Sequence, residues 1–201
     1  ISDKSIKKLE SFKNKYSTKF EVFQGAGEAG IGIGILSALI QAGALEGEFS
    51  HSRSYIVAES QLWNLLTPRE KAKAFDLAEE KKGDLMHVVK YLNTELKDLK
   101  DLKDPKDLKA EKGKPFIKDS RIQTIRRNFK PYKQIYDKNR TNEDFANWYY
   151  ENALLGYTHG KSLREVSAEY SHLESIEAAL GKTENSKVNF IATVEDTYSA
   201  K

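Results

Sequence analysis

The chain has 201 residues, enough for one large domain or two small ones with modest cores. It is 39% hydrophobic and 31% charged, which suits amphipathic helices, and it has no cysteine, so disulfides, thiolate metal sites and cysteine nucleophiles are excluded. Net charge is only +3, but residues 97–140 hold 15 basic and 7 acidic side chains while 141–201 hold 5 and 10, a basic middle suited to a polyanion partner.

Taken in chain order, residues 5–20 place Ile6, Leu9, Phe12 and Tyr16 three to four apart among lysines, the spacing of an amphipathic helix. Phe20 to Gln24 reads as a short strand or turn, followed by a glycine-rich run from Gly25 to Gly34 and a helix over about 35–42 that stops at Gly43. The apolar stretch Ile31 to Leu45 is interrupted by Gln41 and falls short of the ~20 residues that span a bilayer. A helix is expected over 52–66, with Ile56, Leu62, Trp63 and Leu66 inward.

Thr67-Pro68-Arg69-Glu70 supplies an N-cap, a proline at N1 and a reciprocating glutamate, so the next helix runs from there to Lys81-Lys82 and stops at Gly83. Asp84 is expected to cap a helix with Leu85, Val88, Val89 and Leu92 on one face, and Thr141 and Ser162 to cap two more. Between them the near-repeat of Asp-Leu-Lys units in 97–115 predicts an exposed linker. Residues 118–136 predict a basic helix with Ile122, Ile125, Phe129, Tyr132 and Tyr136 inward, restarted at Pro131. Near the end Val188, Phe190, Ala192 and Val194 alternate with polar residues, the period of a strand.

His51, His87, His159 and His172 show no metal-site spacing, so no metal or other cofactor is expected in this chain. Gly25-Ala26-Gly27-Glu28-Ala29-Gly30 matches the dinucleotide pattern G-x-G-x-x-G, but 50–180 lack the alternating strands and helices that fold needs. The run also reads as a turn that lets two helices pack closely. A third reading is a helix-hairpin-helix element, whose backbone amides at Gly30, Gly32 and Gly34 would face a DNA phosphate. The basic stretch carries Arg121, Arg126, Arg127, Lys130 and Lys133, either a solvated helix surface or the footprint of nucleic-acid binding.

Three segments in order carry a resemblance: Gly34-Ile35-Leu36-Ser37-Ala38-Leu39-Ile40-Gln41-Ala42-Gly43-Ala44-Leu45, Trp148-Tyr149-Tyr150-Glu151-Asn152-Ala153-Leu154-Leu155-Gly156-Tyr157, and Val188-Asn189-Phe190-Ile191-Ala192-Thr193-Val194-Glu195. Together they resemble the bacterial replicative DNA polymerase III alpha subunit, a C-family DNA polymerase, from its helix-hairpin-helix region to the start of its OB domain. The family's "S-G-H-P-L" loop is replaced by Thr158-His159-Gly160-Lys161-Ser162-Leu163, and Gly25 to Gly43 contains no basic residue.

The resemblance implies a mainly α fold divided into a helix-hairpin-helix-like region 1–50, a helical continuation 51–96, the linker 97–115, a helical connector 116–182 and an OB-like first strand in 183–201. It implies a cytoplasmic, non-catalytic piece of a longer polymerase, whose catalytic carboxylates lie upstream in the palm. Primer-template duplex would be held by its backbone, with Lys13, Lys15 and Lys19 near the hairpin and Arg121, Arg126, Arg127, Lys130 and Lys133 as contacts. The other polymerase domains are the expected partners. Gln61-Leu62-Trp63-Asn64-Leu65 loosely resembles a sliding-clamp-binding peptide, although its place in an apolar helix favours burial. The competing expectation is a helical protein-interaction or scaffold module that uses the acidic, aromatic-rich stretch 143–180.

Overall fold

The computed structural model describes residues 7–10, 12, 16–81, 84–85, 109–110, 114–115, 117–167, 169 and 172–192. They are mainly helical and divide into two compact units, Ile1–Thr141 and Asn142–Lys201. The boundary follows directly on the basic stretch rather than falling in the charged linker.

In the first unit, α1 (Lys19–Glu28) starts at a capping box. The Thr18 hydroxyl accepts from the Glu21 amide at 3.2 Å, and the Glu21 carboxylate accepts from the Thr18 amide at 3.3 Å. The strand or turn expected over Phe20 to Gln24 is therefore helix. Burial of Phe20, Val22, Phe23 and Ala26 outweighs the strand leaning of these aromatic and β-branched residues. Gly30 then turns the chain with φ +69°, and α2 (Ile33–Gln41) follows. It ends before Gly43, at φ +90°, where the Arg53 guanidinium donates back to the Gln41 carbonyl at 3.2 Å.

Ser52 caps α3 (Arg53–Leu65), the helix about which this unit is built: it packs against α1, against α2 and against α5 (Asp119–Asn139). Ile56, Leu62 and Trp63 are buried, and Trp63 meets the rings of Phe20 and Phe23 at 5.9 and 6.2 Å. The segment that resembles a clamp-binding peptide is thus core, as its apolar setting suggested. Between α3 and α5, α4 (Pro68–Lys81) starts at the expected cap, with the Thr67 amide donating to Glu70 at 2.8 Å.

α5 is one continuous helix with Pro131 inside it, not two helices joined there. Pro131 removes one backbone bond, a cost of ~3 kcal/mol in isolation. Phe129 and Tyr132 join the core cluster from either side of it, which holds the axis through the defect. Among the described residues the only β-ladder is the pair β1 (Lys109–Ala110) and β2 (Lys114–Pro115), antiparallel and two residues long. The helix expected after Asp84, and most of the linker, lie outside the described residues; Leu85 is buried in the core.

In the second unit, α6 (Glu143–Leu155) is capped by Asn142, one residue later than expected, through its oxygen and the Phe145 amide at 3.1 Å. Gly156, at φ +75°, ends it. α7 (Leu163–Val166) has the expected Ser162 and Glu165 capping box and packs on α6 around Ala146, Trp148 and Val166. Buried Glu151 accepts from the His159 amide at 2.8 Å, fixing the loop between them. α8 (Ile176–Leu180) is a short helix capped by Ser175. The strand expected over 188–194 does not form over its described part: 188–192 run without a ladder, and Asn189 offers one carbonyl to the Glu174 amide at 3.0 Å. Alternation sets which side chains could share a face, but a strand also needs a neighbour to pair with.

Candidate nucleic-acid interface

Every element that positions the basic side chains lies in the first unit. Helix α5 turns Ile125 and Phe129 fully into the core, with Ile122, Tyr132 and Tyr136 half-buried beside them. This 3–4–3–4 spacing forms one stripe on the helix. The opposite arc is exposed and contains Ser120, Gln123, Arg127, Lys130, Gln134 and Lys138. At ~100° per residue Arg127 and Lys138, eleven apart, point almost the same way, with Lys130 at the arc's edge. The helix has two carboxylates, and both lie about 20° beyond Lys130, next to this edge of the arc. Asp119 is at the N-terminal end, and Asp137 is paired with Lys133 and, at 3.6 Å, with Arg140.

The expected site residues fall into three groups. Arg127 and Lys130 are exposed on the arc, Arg126 is half-buried at its flank, and Lys133 is drawn to Asp137. Arg121 faces inward to a structural task. Its Nε and Nη2 donate to the two Glu70 oxygens at 2.9 and 2.8 Å, and Nη2 also reaches the Leu65 carbonyl at 2.7 Å. This fork holds the Glu70 carboxyl below its ordinary range, mainly through the side-chain hydrogen bond, and raises Arg121 for the same reason.

Lys19 is buried, not on a surface. Its ammonium sits 2.5 Å from a Glu59 oxygen and 3.0 Å from Asp84, and lies over the rings of Tyr55 and Phe20 at 4.9 and 5.5 Å. His51 closes the cluster, 2.9 Å from the other Asp84 oxygen and stacked on Tyr55 at 4.6 Å. Burial alone would raise Asp84, but the hydrogen bonds and charges of Lys19 and His51 outweigh it and hold the carboxyl low. Burial beside Glu59 and Asp84 pushes the Tyr55 phenol well up. Lys13 and Lys15 lie outside the described residues.

The three glycines come together in one turn. Gly30 sits at the bend, where the Lys8 ammonium reaches its carbonyl at 2.8 Å, Gly32 is the N-cap of α2, and Gly34 lies in its first turn. Ile31 between them is buried, and Gly32 provides no side-chain cap, so the first amides of α2 receive no hydrogen bond from that residue. Neither Gly32 nor Gly34 has any atom within 4 Å of where a Cβ would sit, so both leave open space over the helix start.

Lys138 escaped the sequence reading, because the basic stretch was bounded at Lys133. The signal was present in the eleven-residue spacing from Arg127, three turns along one line of the helix. Among the described residues no group of three or more His, Cys, Asp or Glu side chains could hold a metal ion, and no helix is long and apolar enough to cross a membrane. No known protein family, no curated protein and no solved structure matches the chain.

Proposed function

We propose that this chain is a non-catalytic DNA-holding segment of a replicative DNA polymerase, gripping primer-template duplex through its phosphates. One observation carries the reading: the exposed arc of α5 presents Arg127, Lys130 and Lys138, while of the two carboxylates that border it Asp137 is paired with Lys133 and Arg140. Solvated helices ordinarily mix signs, and the sequence of α4 itself holds four acidic and four basic residues. A long single-sign surface instead raises the local concentration of a polyanion and releases its counterions on contact.

Duplex is favoured over single strands because Phe129, Tyr132 and Tyr136 are turned to the core, leaving this arc no aromatic platform on which unpaired bases would stack. The α1–α2 turn fits a helix-hairpin-helix element, with Ile31 inward and amides at the start of α2 open to a phosphate. Under the same reading residues 183–201 lead into an OB barrel. Fluorescent primer-template duplex, titrated at low and moderate salt beside the single strand, tests the proposal. Salt-sensitive duplex binding is the expected result, and absence of binding at low salt would overturn it.

A specific observation favours a second reading, a protein-docking module. In the second unit Phe145, Tyr149, Leu154, Leu155 and Tyr157 are exposed. A chain that binds no duplex at low salt while remaining folded would shift the weight to this reading.

A further inference from the structure

Besides its cations, the exposed arc of α5 carries the carboxamides Gln123 and Gln134, with exposed Ile135 and Asn128 outside it. Phosphate contact alone calls for cations. Carboxamides add paired donors and acceptors, the groups that match the edges of base pairs. The arc is continuous over the 21 residues of the helix, which at 1.5 Å per residue makes it about 30 Å long. Its inner stripe is spent on the core, so the cations and carboxamides free to face a ligand lie on this arc.

An α-helix with its side chains is roughly 10–12 Å across. The major groove of B-form DNA is about 12 Å wide, whereas the minor groove, at about 6 Å, excludes a helix. Resting on the duplex-binding reading above, we infer that α5 lies in the major groove of the duplex. Arg127, Lys130 and Lys138 extend their long side chains to the phosphate walls, and the shorter Gln123 and Gln134 face the base edges. With donors and acceptors interleaved, the arc fits the groove of any sequence rather than selecting one.

The test compares two duplexes of identical sequence and phosphate count, bound by the full chain. One is unmodified, and in the other every cytosine carries a glucosylated 5-hydroxymethyl group that fills the major groove. Groove insertion predicts binding to the modified duplex weaker by about tenfold or more. It also predicts that Gln134→Leu, a helix-compatible change on the exposed arc, weakens binding to the unmodified duplex by about threefold to tenfold. Equal affinity for the two duplexes would overturn the inference while leaving the phosphate-holding reading in place. Failure to bind either duplex at low salt would instead overturn that reading.

Discussion

Replacing Arg121 by alanine should damage the fold rather than the nucleic-acid face, and the geometry sets the size of the effect. The side chain is 31% exposed and that of Glu70 only 11%, so the pair lies between a surface bridge, worth ~0–1 kcal/mol, and a buried one, whose breakage costs ~3–5 kcal/mol. Three charge-assisted hydrogen bonds are lost together, two to Glu70 and one to the Leu65 carbonyl. An intermediate loss of about 2 kcal/mol is expected, a fall in Tm of about 4–8 °C for a chain of this size. The dependence on pH follows from the lowered Glu70 carboxyl. A carboxylate depressed in the folded state contributes its full stability above its unfolded pKa and loses it as pH falls through the folded one. The gap between wild type and Arg121→Ala should therefore be widest near neutral pH and shrink in acid, leaving the share due to Leu65. Thermal melts followed by circular dichroism at pH 7 and at about pH 3 read both quantities. Melting within 1 °C of wild type at pH 7, about 0.3 kcal/mol, would refute the reasoning, as would a gap that widens in acid.

Lys19→Met should remove the ammonium 2.5 Å from fully buried Glu59 and cost about 3–5 kcal/mol in urea unfolding, with much of the loss recovered by adding Glu59→Leu. Gly43→Ala should cost about 1–3 kcal/mol in thermal melts, because φ is +90° and the new Cβ would sit 2.9 Å from an Arg53 guanidinium nitrogen.

Local chemistry was legible wherever a motif was self-contained. The boxes at Thr67 and Ser162, the glycine stop at Gly43 and the inward faces of 52–66 and 118–136 all form as the residue pattern indicates. Phe20 to Gln24 reads as strand because its aromatic and β-branched residues outweigh the Thr18 and Glu21 capping box that overlaps it. The burial of Lys19 was not legible, since Glu59 and Asp84 lie 40 and 65 residues away along the chain. The same holds for Arg121 and Glu70, 51 apart, so a basic residue counted toward the ligand face belongs to the scaffold. Pro131 marked a helix break by local rules, but packing of Phe129 and Tyr132 overrides it. For the polar arc the period of the helix is enough: three turns from Arg127 along the same line it reaches Lys138.

The most direct test of the central claim is the salt dependence of duplex binding, measured on wild type and on Arg127→Gln, Lys130→Gln, Lys138→Gln together, with Arg121 left in place to keep the fold. The account predicts an unchanged Tm, affinity reduced by about tenfold to a hundredfold at moderate salt, and a log–log salt slope shallower by about three. An unchanged affinity and slope in the triple variant would contradict it.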